Sequence, residues 1–142
     1  ELFLYEAARA QHMEQIIEPA LNDGRTVILD RFIDSTFAYQ GYGRELGEDC
    51  VDVFNKYAIH GRYPDITLML TLTAKDAFKR KGGNDKKDRM EMAGDDFFKR
   101  VDTGLKRALE KYSDRIVKVN VEGTCEETHN KICNLIDKVL NN

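Results

Sequence analysis

The residues best suited to chemistry sit where a short apolar run ends. Thr26-Val27-Ile28-Leu29 leads directly into Asp30-Arg31-Phe32. If the run is a strand of an open α/β sheet, its carboxyl end is where ligands bind. Asp30 could there hold a metal ion through water, and Arg31 could fork onto phosphate oxygens. A structural ion pair or a helix cap would use the same two residues. Thr36, Tyr39 and Gln40 follow closely, with Thr36 and Gln40 spaced to share one helical face. A Gln amide is both donor and acceptor, which a pyrimidine edge requires, although polar residues on a helix are usually solvated. Tyr5 and Arg9 have the same spacing. An aromatic ring beside a guanidinium suits a planar heterocycle, by stacking and by hydrogen bonding. An Arg stem covering a core Tyr would show the same pattern.

A second group of charges lies further on. Residues 75–89 hold seven basic residues (Lys75, Lys79, Arg80, Lys81, Lys86, Lys87, Arg89) against Asp76, Asp85 and Asp88. Gly82 and Gly83 interrupt the run. A basic segment beside a phosphate site could close over it as a lid, and a solvated charged loop would read alike. Phe78 is the one aromatic residue among them, too little interleaving for base stacking on a nucleic acid. Cys125, His129 and Cys133 follow a helical spacing. Three ligands on one helix stripe cannot close a tetrahedron around zinc, so packing accounts for them better. His12 and His60 lack a Ser or Cys pattern that would support a nucleophilic triad. The motif G-x-x-x-x-G-K-[ST] does not occur, and no Gly precedes a Lys.

These residues need elements to hold them. The spacing predicts a helix over residues 1–22, with Phe3, Ala7, Ala10, Ile17 and Leu21 on its buried stripe and a stop at Asp23-Gly24. The apolar run at 26–29 predicts a strand buried on both faces. Helices are expected over 34–43 and 46–58, the latter packing through Leu46, Cys50, Val53, Phe54, Tyr57 and Ala58. Ile66 to Leu72 predicts a second strand, residues 95–112 a long helix, and Ile116 to Val121 a third strand. Thr124-Cys125-Glu126-Glu127 reads as a capping box opening a helix to about Leu140. Strands separated by helices imply a parallel sheet with helices on both faces, here as a single α/β domain over 1–142.

Composition narrows the class. The 142 residues are 42% hydrophobic and 33% charged, with a formal charge of −3. That excludes collagen-like, disordered and coiled-coil chains, and it is not the balance of a bulk nucleic-acid binder. No apolar run approaches the ~20 residues of a membrane-spanning helix. Three scattered cysteines fit a reducing, cytoplasmic setting better than a disulfide scaffold. The chain opens at Glu1 in what reads as mid-helix, without a capping signal, which predicts that an N-terminal part is missing.

Four stretches, LFLYEAARAQH, PALNDGRTVILDRFIDSTFAYQGYGR, YPDITLMLTLT and KDRMEMAGDDFFKRV, together resemble bacterial thymidylate kinase, of the P-loop kinase group. The DRF-x-x-S/T-x-AYQG run is the specific part. The resemblance implies a fold with three of the family's usual five strands, lacking the N-terminal third with its phosphate loop. It implies transfer of the γ-phosphoryl of ATP to dTMP with Mg2+, by a homodimer built on helices resembling 1–21 and 46–58. Tyr5 would stack on thymine, Arg9 would contact a thymine carbonyl, and Thr36 and Gln40 would line the base edge. Tyr39 would crowd the sugar, Arg31 would bind the dTMP phosphate, and Asp30 would lie near magnesium and the transferring group. Residues 75–93 would form a lid whose Arg80, Lys81, Lys86, Lys87 and Arg89 face ATP, with Arg80 and Arg89 also acting in catalysis. Without a phosphate loop the 142 residues alone would not turn over. A nucleotide-binding or scaffold fragment without catalysis is the alternative.

Overall fold

The computed structural model describes residues 1–72 and 94–141, in two compact units. The expected lid, residues 75–93, lies outside the described residues. The first unit comprises Glu1–Tyr63 with Gly94–Ala108. Its opening helix α1, Leu2–His12, continues through a π-helical turn, Met13–Ile17, into α2, Glu18–Asn22. Pro19 has no N–H to return to the preceding turn. The wider turn just before it is a usual way for a helix to absorb such an interruption. The helix stops at Asp23-Gly24 as expected. Gly24 adopts φ +73°, and the Arg25 N–H reaches back to the Ala20 carbonyl at 3.0 Å.

The buried face of this helix differs from the expected stripe. Ile17 is buried and Leu21 leans on the core as expected, but Leu2, Glu6, Met13 and Ala20 complete the inward face, whereas Phe3 is 69% exposed and Ala7 is open. Helical spacing holds, but the inward face carries a charged residue, so counting apolar positions selects the neighbouring face. Met13 and Ile17 pack with Ile33 and Ile59, against which Leu21, Val27, Leu29 and Phe32 lean.

Residues 26–29 do not form the expected strand. Val27 and Leu29 turn toward the core and Ile28 is 85% exposed, an alternation typical of a strand. A strand, however, exists only through its ladder, and no described segment pairs with this one.

The expected helix near 34–43 appears as α3, Ile33–Thr36, which runs into a π-helical segment, Phe37–Gly43. Next comes α4, Glu48–Ala58. It buries Ala58 as expected, but with Val51 and Asn55, and it leaves Val53 and Tyr57 outside. The long helix α5, Asp95–Lys111, buries Phe97, Val101, Gly104 and Ala108. Its Arg100 donates to the Gly43 carbonyl through Nε and Nη2, at 3.2 and 3.0 Å. Arg107 on the same helix meets Glu48, which also accepts from the Tyr42 hydroxyl. Burial raises the Tyr42 pKa above its usual 10, and the bond to Glu48 adds to the rise. Tyr42 therefore stays protonated as the donor.

The second unit comprises Pro64–Ala93 with Leu109–Asn142. Two expected strands form here: β1, Thr67–Thr71, and β2, Ile116–Asn120, paired in parallel with Thr67 opposite Ile116. Ile116, Val119 and Val121 supply its buried apolar side chains, and the Arg115 guanidinium donates to Thr67 Oγ1 at 3.1 Å. The final helix α6, Cys125–Leu140, opens with the expected capping box. Thr124 Oγ1 accepts from the Glu127 N–H at 3.1 Å, and Glu127 Oε2 accepts from the Thr124 N–H at 2.7 Å. Among the described residues no helix is long and apolar enough to cross a membrane.

Candidate functional site

The first unit gathers most of the residues singled out by spacing. Arg9 is their centre. Its Nη1 donates to Glu6 Oε1 at 2.5 Å and to Asn55 Oδ1 at 3.2 Å, and its Nη2 donates to Thr36 Oγ1 at 2.7 Å. One side chain thus ties α1 to α3 and α4. Asn55 completes the tie by donating to the Ile33 carbonyl at 3.2 Å. Arg9 and Glu6 are nearly sealed, their side chains 10% and 7% exposed.

This arrangement leaves two kinds of unused capacity. A guanidinium has five N–H donors. Three of Arg9's are engaged by described residues, which leaves Nε–H and one Nη2–H. Glu6 Oε2 is buried and accepts from nothing described. The ring beside Arg9 is Phe32, 5.4 Å from the guanidinium to the centroid, rather than the anticipated Tyr5. Tyr5 itself is roughly half exposed.

Gln40 is buried, 3% exposed, and its Nε2 donates to Glu1 Oε1 at 2.6 Å. Arg44 Nη2 bonds the other carboxylate oxygen, Oε2, at 3.2 Å. The Gln40 bond outweighs the cost of partial burial, and with the charge of Arg44 it holds the Glu1 carboxyl below its ordinary 4.5. A depressed folded-state value means that this contact stabilises above the ordinary carboxylate range. Its contribution fades as pH falls through the lowered value.

Arg31 is exposed and sits at φ +67°, in the left-handed region that L side chains rarely adopt. Its guanidinium lies 5.3 Å from the Tyr39 ring centroid, a cation–π arrangement that aims it without consuming its hydrogen-bond donors. Tyr39 in turn rests edge-on against Phe97 at 6.2 Å. Asp30 is exposed beside Arg31. The structure therefore brings Arg9 to Thr36, and Arg31 to Tyr39. Arg80, Lys81, Lys86, Lys87 and Arg89 fall outside the described residues.

Glu1, Glu6, Arg44 and Asn55 were not singled out by spacing. For Glu6 a signal was available, since a carboxylate three residues before an Arg on a helix is a standard pairing distance. Asn55 and Arg44 gave no such signal, because their partners are distant in the chain.

A site of this kind has aimed cations at its rim, an aromatic wall and buried amide and guanidinium groups with spare hydrogen-bonding capacity. It is equipped for a planar polar ring carrying an anionic group. Among the described residues no cluster of three or more His, Cys, Asp or Glu could hold a metal by itself.

A family model described as thymidylate kinase matches residues 1–132. The chain is 47% identical over 141 residues to thymidylate kinase of Chlorobaculum parvum, covering 93% of this chain and 65% of the relative. It is 40% identical over 134 residues to thymidylate kinase of Clostridium novyi, with the same coverage of 93% and 65%. The crystal structure of thymidylate kinase from Ehrlichia chaffeensis superposes with a TM-score of 0.72 at 29% identity, over 96% of this chain and 63% of that one. The chain thus spans 65% of the length of the two curated relatives.

Proposed function

This chain belongs to the thymidylate kinase family, and from that premise we propose that the protein transfers the γ-phosphoryl of ATP to dTMP, giving dTDP and ADP. The observation that carries the reading is Arg9. It is locked by Glu6, Asn55 and Thr36, yet it keeps Nε–H and one Nη2–H for a ligand carbonyl. Tyr5, Thr36 and Gln40 belong to the same base pocket in this reading, and Tyr39 borders the sugar. Arg31 takes the acceptor phosphate. Its left-handed backbone is costly for a non-glycine residue, and such strain tends to persist where function requires it.

Phosphoryl transfer depends on positioning and charge neutralisation. Mg2+ on ATP would supply charge neutralisation at the phosphates. Asp30, an exposed carboxylate, is a fitting hard oxygen donor and would hold the ion through water. Arg80, Lys81, Lys86, Lys87 and Arg89 are assigned to the ATP side as a lid. Transfer also needs a phosphate cradle, and the 142 residues contain no such motif, so they are assigned acceptor binding without turnover. The three free cysteines suit a reducing cytoplasm, where both nucleotides occur.

The acceptor reading is tested by calorimetry with dTMP and dCMP. Binding of dTMP should be at least about tenfold tighter, because a mismatched edge leaves buried polar groups unpaired. Arg31→Ala should weaken dTMP but not thymidine, which lacks the phosphate. Equal affinity for dTMP and dCMP would sink the assignment.

The partner assigned is a second copy of the chain. Phe3 and Tyr57 are 69% and 77% exposed, and Leu4 on α1 and Val53 on α4 are open as well. Phe3 meets Phe54 edge-on at 5.1 Å, joining α1 and α4 into one apolar surface. Contiguous exposed apolar surface marks an interface. Sedimentation should find a dimer in the wild type and a monomer after Tyr57→Glu. A wild type that is monomeric at every concentration tried would refute this partner.

A further inference from the structure

Gln40 is a discriminating group only if its amide faces one way. Its carbonyl oxygen can accept an imide N–H, as in thymine or uracil. Its NH2 group can instead donate to the bare ring nitrogen of cytosine. Rotation of the amide by half a turn would reverse the preference at almost no steric cost.

The neighbours of Gln40 remove that freedom. An ionised carboxylate is an acceptor only, so Glu1 Oε1 at 2.6 Å must be met by the Gln40 NH2 group. Arg44 pairs with the same carboxylate, through Nη2 to Oε2 at 3.2 Å and Nε to Oε1 at 3.4 Å, but it is the acceptor-only character of the carboxylate that orients Gln40. The flipped amide would set two oxygens against each other. Gln40 Oε1 is thereby left as the acceptor turned away from Glu1. It takes no hydrogen bond from any described residue, and Glu6 Oε2 is the only described side-chain acceptor that is both sealed and unbonded.

Resting on the acceptor-site reading above, we propose that Glu1 is a positioning residue: it fixes the Gln40 amide with its carbonyl oxygen toward the base, so the site selects an imide N–H over a ring-nitrogen acceptor. Glu1 acts through Gln40 and touches no substrate.

The test compares wild type, Glu1→Gln and Arg44→Ala in the natural polypeptide, by calorimetry with dTMP and dCMP. Glu1→Gln is nearly isosteric, but its amide can both donate and accept, so Gln40 is free to turn. The dTMP-over-dCMP ratio should fall about tenfold or more. Arg44→Ala removes the ion pair but leaves the carboxylate, so the ratio should hold within about twofold. A merely structural Glu1 would weaken both nucleotides alike and leave the ratio unchanged, which would overturn the proposal. So would an equal loss of ratio in Arg44→Ala. An independent check needs no variant. The Gln40 side-chain NH2 resonances of the wild type should keep their carboxylate-bonded shift when dTMP binds, and loss of that shift on binding overturns the proposal. A wild type without any dTMP preference defeats the acceptor reading itself. A preserved preference in Glu1→Gln defeats this inference alone.

Discussion

Arg9→Met is expected to destabilise the fold by about 3–5 kcal/mol, because it strands the buried Glu6 carboxylate without its cation. The pair is nearly sealed, with side chains 10% and 7% exposed, so solvent cannot replace the lost partner. Asn55 Oδ1 and Thr36 Oγ1 lose a donor in the same step. The Glu6 Oε2 atom already lacks a described partner, so no donor stands ready to compensate. Equilibrium denaturation would measure the loss. Adding Glu6→Leu to Arg9→Met should restore much of it, since two apolar residues leave no stranded charge. Arg9→Lys keeps the charge but not the fork, and it should lose the contacts to Asn55 and Thr36. A loss below about 1 kcal/mol in Arg9→Met would show that the pair is not buried as described.

Gly104→Val is expected to cost about 3 kcal/mol or more. A Cβ at Gly104 would meet Ala38 Cα, Tyr42 Cβ and Tyr42 Cγ, each at 2.9 Å. These are backbone or ring-base atoms, which cannot swing aside. Two effects compete even in the milder Gly104→Ala. Replacing a mid-helix glycine gains about 1 kcal/mol of helix propensity, while overpacking costs about 1–3 kcal/mol. Clash therefore wins narrowly for Ala and clearly for Val, whose two further methyls deepen it. Thermal melts of both variants should rank wild type above Ala above Val. A Gly104→Val protein as stable as wild type would mean that α5 does not approach Phe37–Gly43 this closely. Gly43 faces the same helix contact, where a Cβ would lie 2.6 Å from Phe97 Cε2.

Both predictions depend on contacts that spacing alone did not reveal, and the reason is physical. Helix ends and caps are local. Asp23-Gly24 stops a helix because glycine tolerates φ +73° there, and Thr124 with Glu127 starts one by exchanging two hydrogen bonds across a single turn. Strands β1 and β2 announce themselves as apolar runs. The run at 26–29 looked the same but has no described partner, because a ladder is a property of two segments. Counting apolar positions finds Ile17 and Ala58 but lands one residue away from most of the buried face in α1 and α4. The buried faces contain Glu6 and Asn55, while Phe3 and Tyr57 lie outside. Hydrophobicity cannot anticipate a buried polar network, nor which apolar side chains stay exposed.

For the candidate site the division is similar. The types and spacing of Asp30, Arg31, Thr36, Tyr39 and Gln40 sufficed to mark a candidate site and to suggest the family that comparison then established. Side-chain chemistry and periodicity are carried by the residues themselves. Only the tertiary structure decided what holds those residues still. Arg9 meets Asn55 across 46 positions of chain, and Gln40 meets Glu1 across 39. Such contacts depend on how helices cross, a geometry set by packing rather than by any local signal. The sequence thus determined which groups are available, and the fold decided which of their donors and acceptors remain free for a substrate.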